Sequence, residues 1–136
     1  MSSRSLDDLS PLVRPLVDAF LATAAEAGID VLITCTLRSS AEQGALYAQG
    51  RTAPGKIVTN AMPGQSAHQY GMAIDMVPMV NGKPDWQGTD SVWQQLGSLG
   101  EGVGLEWAGR WIHFPEEPHL QLPDWQQHIA ARTQNT

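Results

Sequence analysis

The segment SAHQYGMAID, residues 66–75, places a histidine and an aspartate seven positions apart. A second histidine, His119, lies far downstream in the stretch PHLQL, residues 118–122. Zinc accepts imidazole nitrogen and carboxylate oxygen at about 2.0–2.2 Å in tetrahedral geometry, and a catalytic zinc site leaves the fourth position to water. His68, Asp75 and His119 therefore form a candidate set of metal ligands.

The spacing between His68 and Asp75 predicts a bend in the chain. On a single helix the two side chains would be about 10 Å apart along the axis, and on one straight strand an odd separation puts them on opposite faces. Gly71 suits the bend, because glycine adopts backbone angles that are closed to other residues. The run AIDMV, residues 73–77, is typical of a buried strand. Asp75 then needs an ionic partner or a metal to offset its burial.

Apolar spacing in the first third of the chain predicts a helix, a strand and a second helix. Residues 10–27 carry apolar side chains at helical spacing. Residues 29–37, IDVLITCTL, are rich in β-branched side chains, which is typical of a central strand. The next helix is expected over 40–50, with Ser40 as its N-cap and Gln43 at the capping-box spacing.

The remaining patterns are weaker and predict three shorter elements. These are a short strand at 57–59, a helix over 91–105, and a last helix that begins after Asp124 as its cap. Helices around a few short strands predict an α+β domain with a small, mostly antiparallel sheet flanked by helices. The length of 136 residues fits a single domain, 1–136, with its core over about 9–124.

Composition excludes several classes of partner. The chain has 8 basic and 14 acidic residues and a formal charge of −6, without a basic cluster, so no nucleic-acid partner is expected. No apolar run approaches the roughly 20 residues of a membrane span, so no membrane insertion is expected. The start MSSRSLDDLSPLVRPLVDAF has no features of a secretory signal, which predicts synthesis in the cytoplasm. Cys35 is the only cysteine and is expected to be a reduced, buried thiol.

Three stretches of the chain together resemble the M15 group of zinc D,L- and D,D-peptidases, especially phage endolysins that act as L-alanyl-D-glutamate peptidases. They are TLRSSAEQGALYAQGRTAPGKIVTNA at 36–61, SAHQYGMAID at 66–75 and GLEWAGRWIHFPEEPHLQL at 104–122. The resemblance runs from about Leu9 to Asp124. It implies the hedgehog and D-Ala-D-Ala-peptidase type of fold, with zinc as cofactor bound by His68, Asp75 and His119.

The same resemblance implies catalytic roles for two further residues. It places the catalytic base three positions before the last histidine ligand, at Glu116, whereas Glu117 should point elsewhere if the segment is extended. An arginine at the position of Arg38 serves the substrate or the polarised carbonyl oxygen, and a guanidinium can do either with two parallel hydrogen bonds. A structural salt bridge is the alternative for Arg38.

Other side chains near these motifs are candidates for contact with the substrate or with a metal ligand. The resemblance places Ser66 beside a ligand or the substrate, and Gln43 either lines the same wall as Arg38 or only caps its helix. His113 is six positions before His119 and receives no metal role from the motif. Aromatic residues near the motifs either wall a groove or fill a small core: Tyr70, Trp107 and Trp111.

The implied function is zinc-dependent hydrolysis of the L-Ala–D-Glu amide in the peptidoglycan stem peptide. A D-Ala–D-Ala carboxypeptidase or dipeptidase would share the same ligands, and a non-catalytic, zinc-stabilised cell-wall-binding module is a third alternative. A carboxylate at position 116 argues against the third, because a binding module needs no base. We expect a monomer without a separate cell-wall-binding domain. It would act on the wall after release from the cytoplasm as a phage-encoded protein in an infected bacterium. The alternative is a bacterial recycling enzyme that works in the cytoplasm.

Overall fold

An antiparallel sheet of five strands forms the centre of the described part of the chain. The computed structural model describes residues 2–134, with side chains through residue 129. The strands are β1 (Asp30–Cys35), β2 (Ala73–Val80), β3 (Lys83–Pro84), β4 (Glu106–Trp107) and β5 (His119–Gln121). β2 pairs with β1, β3 and β5, and β4 pairs with the far edge of β5. The apolar strand that carries Asp75 is therefore the central one.

Within the described residues 2–134, four helices and three short 3-10 turns surround this sheet. The helices are α1 (Arg14–Glu26), α2 (Ser40–Ala48), α3 (Asp90–Gly102) and α4 (Trp125–Gln134), and the turns are Leu6–Asp8, Ala67–Tyr70 and Ala108–Arg110. The predicted α+β architecture with a small antiparallel sheet is confirmed. Among residues 2–134, no helix is both long and apolar enough to cross a membrane.

One hydrophobic core joins α1, α3 and α4 to the sheet. Phe20 of α1, Ile74 of β2, Leu96 of α3, Leu120 of β5 and Trp125 of α4 are all buried within it. α1 begins at Arg14 and not at residue 10 as predicted. The reason is Pro15, which has no N–H to donate and fits only the first turn of a helix.

The cap of α2 is one residue earlier than predicted. The Ser39 hydroxyl, not that of Ser40, accepts a hydrogen bond from the Glu42 N–H at 3.1 Å. Ser40 is the first residue of the helix. The capping-box role of Gln43 is therefore wrong, and its side chain is instead fully buried.

The strand predicted at 57–59 is wrong, because this segment is irregular. The Arg51 guanidinium donates to the Thr59 carbonyl at 3.0 Å and to Asn60 Oδ1 at 3.0 Å. The Arg51 side chain therefore forms a hydrogen bond with the Thr59 carbonyl, which in a sheet would accept one from a neighbouring strand. The last helix does follow Asp124, but Asp124 has a φ of 56° and not the extended backbone of a typical N-cap. Its backbone carbonyl accepts the Gln127 N–H.

Two glycines of α3 allow a matched test of the packing between this helix and the sheet. A Cβ added at Gly97 would be 2.1 Å from Trp107 Cδ2, whereas one added at Gly102 would meet nothing within 4 Å. We expect Gly97→Ala to lower the free energy of unfolding by about 1–3 kcal/mol, because the Trp107 ring must move. Gly102→Ala should be neutral or stabilising by up to about 1 kcal/mol. Urea denaturation checks both, and equal effects would contradict this packing.

Candidate metal centre and active site

A sharp turn brings the two ends of the SAHQYGMAID segment together. Ala67–Tyr70 forms a 3-10 turn, with the Ser66 hydroxyl accepting from the His68 N–H at 3.3 Å. Gly71 ends the turn with a φ of 67°, and the chain then enters β2. A Cβ at Gly71 would be 2.8 Å from the Asp8 carbonyl oxygen, so the position also lacks room for a side chain. The structure contains the bend predicted at Gly71.

The register of the sheet brings His119 to the same place. On β5, His119 lies directly opposite Asp75 of β2. Asp75 Oδ1 is 3.0 Å from His68 Nε2 and 3.2 Å from His119 Nδ1. Both imidazoles are buried. The three residues proposed as metal ligands from the sequence thus meet at one carboxylate oxygen.

In each imidazole, the ring nitrogen that faces away from Asp75, here called the outer nitrogen, donates a hydrogen bond to an oxygen. His68 Nδ1 lies 3.1 Å from the Thr36 carbonyl oxygen, and His119 Nε2 lies 2.8 Å from Gln121 Oε1. Metal-binding histidines have this arrangement, in which the other ring nitrogen donates to a carbonyl or carboxylate. A neutral His119 that donates through Nε2 turns the lone pair of Nδ1 towards Asp75 Oδ1. A cation bound between the His119 lone pair and the Asp75 carboxylate would be stabilised by both. Two imidazole nitrogens and one carboxylate oxygen are a ligand set that fits zinc.

Cys35 offers a second possible group of ligands. Its thiol and ligand atoms of His68 and Asp75 lie within 4.8 Å of one another. However, Arg38 occupies this side of Asp75, with Nη2 3.5 Å from Cys35 Sγ and 3.3 Å from Asp75 Oδ2. A guanidinium in this position opposes a further cation. We therefore favour the group that contains His119.

His68 and Asp75 strongly perturb each other's protonation. Burial lowers the pKa of His68, but the adjacent Asp75 carboxylate more than offsets this effect and raises the pKa to about 10. Burial raises the pKa of Asp75, and the neighbouring His68 outweighs it and holds that pKa well below its usual range. Metal binding must displace the proton on His68, so affinity for the metal should decrease as the pH falls.

Glu116 faces the same cavity as the three candidate ligands. The cavity has a volume of about 550 Å³ and is lined by Arg38, His68, Asp75, Glu116 and His119, among others. Burial raises the pKa of the Glu116 carboxyl, and the nearby Asp75 carboxylate adds to this effect. A raised pKa makes a carboxylate a stronger base, which suits a group that takes a proton during catalysis.

The neighbouring Glu117 is held in a different way. Its backbone carbonyl accepts a hydrogen bond from Trp107 Nε1 at 2.8 Å, and Glu117 is not among the residues that line the cavity. The Glu116 N–H donates to the Ala108 carbonyl at 3.1 Å. These two bonds fix the register of the EEPH segment. The assignment of Glu116 as the base stays a prediction, and this geometry supports it.

Arg38 and the buried Gln43 are linked by hydrogen bonds to the cavity wall. Arg38 Nη1 donates to Gln43 Oε1 at 3.0 Å, and Gln43 Nε2 donates to the Ala61 carbonyl at 2.7 Å. Gln43 is not among the lining residues. Arg38 lines the cavity, yet it also forms the ion pair with Asp75 that was its structural alternative. Its position allows it both to orient Asp75 and to face a substrate.

The aromatic candidates separate into two groups. Trp111 lines the cavity, its Nε1 donates to Glu106 Oε2 at 2.9 Å, and its ring centroid is 5.7 Å from that of His119. Tyr70 is not among the lining residues, but its ring stacks at 5.5 Å on that of Trp125, which does line the cavity. Trp107 is buried in the core.

Two polar candidates also reach the cavity, and one polar residue was missed. Ser66 and His113 are both among the lining residues. Gln121 was not predicted from the sequence, although the order His119-Leu120-Gln121 on a strand places the first and third side chains on one face. That alternation was the available signal.

Comparisons with known proteins identify the family. A family model described as D-alanyl-D-alanine carboxypeptidase, of the M15 peptidases, matches residues 59–122. The peptidoglycan L-alanyl-D-glutamate endopeptidase CwlK of Bacillus subtilis (strain 168) is 42% identical over 123 residues, which cover 85% of this chain and 74% of that protein. The L-alanyl-D-glutamate peptidase of Listeria phage A118 is 34% identical over 97 residues, or 70% of this chain and 31% of that protein.

A solved structure supports the fold independently. The crystal structure of the Serratia marcescens L-Ala D-Glu endopeptidase ChiX has a TM-score of 0.68 and 20% sequence identity, and the match covers 94% of this chain and 92% of that chain. The chain belongs to the M15 peptidase family. The family resemblance, the fold class and the enzyme class predicted from the sequence are confirmed.

Proposed function

We propose that this protein is a zinc-dependent peptidase that hydrolyses the L-Ala–D-Glu amide of the peptidoglycan stem peptide. The observation that carries the proposal is the convergence of two imidazole nitrogens on Asp75 Oδ1 beside Glu116, in an open cavity. The substrate follows from the 42% identity to CwlK, a peptidoglycan L-alanyl-D-glutamate endopeptidase. His68, Asp75 and His119 would hold the metal.

The residues of the cavity supply the remaining chemistry. A bound zinc ion would supply Lewis-acid activation of the attacking water and of the scissile carbonyl. Glu116 takes a proton from the water as the C–O bond forms, and returns it to the amine of D-Glu as the C–N bond breaks. Arg38 keeps Asp75 oriented through its 3.3 Å ion pair and presents positive charge to the developing oxyanion. Trp111 forms part of the cavity wall beside His119.

A D-Ala–D-Ala carboxypeptidase is the second candidate, because the family model carries that description. It would use the same ligands and base and would differ only in which amide lies over the metal. A non-catalytic wall-binding module is the third, and the position of Glu116 beside the candidate ligands argues against it.

Digestion of purified peptidoglycan separates these functions. We expect new α-amino groups on D-Glu and L-alanine that remains attached to muramic acid, detected by mass analysis of the released muropeptides. Glu117→Gln should give the same products as wild type, since Glu117 lies outside the cavity lining. Free D-alanine as the main product would select the carboxypeptidase. Binding to peptidoglycan with no release of any fragment would select the module.

We further propose that residues 1–136 form one catalytic domain that acts as a monomer at the cell wall. Side chains from α1, α3, β2 and β5 share a single core, which supports one folding unit. Encoding by a phage stays a prediction, and similarity to a Listeria phage peptidase supports it.

A further inference from the structure

We propose that Gln121 is a positioning residue that holds His119 in the tautomer and orientation required for metal binding. The inference rests on the proposed function, because it takes His119 as a metal ligand. Gln121 has no part in the catalytic steps proposed above.

The strand geometry directs Gln121 at His119. Within β5, His119 and Gln121 are two positions apart and share one face, whereas Leu120 between them points into the core and is fully buried. Gln121 is 8% exposed, and its Oε1 lies 2.8 Å from His119 Nε2. Because β5 pairs with β2 at Ala73 and with β4 at Glu106, the backbone under Gln121 is fixed from both sides.

The chemistry of the contact selects one tautomer. A neutral imidazole carries one hydrogen, and an amide oxygen can only accept it. The Gln121 oxygen therefore places the hydrogen on His119 Nε2 and leaves Nδ1, 3.2 Å from Asp75 Oδ1, free to bind a metal. Without that acceptor, the hydrogen would be most stable on Nδ1 beside the Asp75 carboxylate. Nδ1 would then have no lone pair available for zinc, and Nε2 would carry no hydrogen to donate.

The two histidines differ in how their orientation is maintained. His68 Nδ1 is paired with the backbone carbonyl of Thr36, which no substitution removes. Thr36 is itself anchored, because its N–H donates to the Ser3 carbonyl and its hydroxyl to the Ser5 carbonyl. His119 depends on a side chain. It is therefore the imidazole whose outer contact can be removed by a single substitution.

The test measures zinc affinity and the state of His119 in three variants of the full chain. Gln121→Met removes the acceptor at similar length, Gln121→Glu keeps an acceptor, and Gln126→Leu changes an exposed glutamine of the same cavity. We expect Gln121→Met to weaken zinc binding by about 10–100-fold, as measured by competition with a chromophoric chelator. Gln121→Glu and Gln126→Leu should bind zinc at least as tightly as wild type.

NMR of the zinc-loaded protein supplies a readout that a purely structural role would not change. In wild type, we expect a slowly exchanging His119 Nε2–H signal and a zinc-dependent shift of Nδ1. In Gln121→Met the Nε2–H should exchange rapidly. Wild-type zinc affinity together with a slowly exchanging Nε2–H in Gln121→Met would overturn the proposal.

Two other outcomes are also decisive. If wild-type His119 shows no zinc-dependent shift, the ligand set of the proposed function fails, and the role of Gln121 fails with it. If Gln121→Met does not fold by circular dichroism, Gln121→Glu decides the matter. A carboxylate is the stronger acceptor and should preserve or raise zinc affinity, so a weakened affinity in that variant would contradict the proposal.

Discussion

Glu116→Gln is expected to lower the rate of peptidoglycan hydrolysis by about 10²–10⁴-fold while zinc content and fold persist. Glutamine keeps the size of the side chain and its hydrogen bonds but cannot accept the proton from water. The Glu116 carboxyl lines the cavity beside His119 and Asp75, and its burial raises its pKa, as expected for a group that exchanges protons during catalysis. The measurement is turnover of purified peptidoglycan at equal zinc occupancy.

The adjacent glutamate provides the control for this prediction. Glu117→Gln should be nearly neutral, because the Glu117 backbone, not its carboxylate, makes the bond to Trp107 Nε1. An exposed or partly exposed charge contributes little to stability. Equal losses in both variants would mean that the two carboxylates act together. A larger loss in Glu117→Gln would show that the register of the EEPH segment is wrong.

The sequence was sufficient to predict which residues meet in the site but not how they pair. The odd spacing of His68 and Asp75 demanded a bend, and Gly71 supplies it with its positive φ. The pairing of His119 with Asp75 depends on the register between β2 and β5. The residue types made these two distant residues candidate ligands of one metal, and the family resemblance implied that they meet, since contacts between strands far apart in sequence leave no local pattern.

The roles of residues that form buried polar contacts are the least visible in the sequence. Gln43 had the right spacing for a helix cap, but tertiary packing instead buries it between Arg38 and Ala61. The ion pair of Arg38 with Asp75 was foreseen only as an alternative, because a salt bridge across 37 positions has no local signature. Gln121 had a local signature in strand alternation, but a glutamine is common on any strand surface.

Removal of the metal is expected to abolish hydrolysis, and added zinc should restore it. Two imidazole nitrogens and a carboxylate oxygen converge in the site, and the other nitrogen of each imidazole already has a hydrogen-bond acceptor. This donor set binds zinc with the ligands deprotonated, so binding should release a proton from His68, whose pKa is about 10 in the metal-free protein. Dialysis against a chelator, followed by titration with zinc, measures activity and metal content together. Full activity in chelator with no stoichiometric metal would contradict the proposal.

Substitution of individual ligands locates the metal among the two possible groups. Asp75→Asn should lose both zinc and activity, because a neutral amide replaces the carboxylate oxygen shared by His68 and His119. Asp30→Asn is the matched control, since Asp30 is an exposed aspartate at the start of β1. Cys35→Ser should retain stoichiometric zinc, because Arg38 occupies the thiol side of Asp75. If Cys35→Ser loses zinc while His119→Ala retains it, the metal lies on the Cys35 side, and the ligand set of the proposed function is wrong.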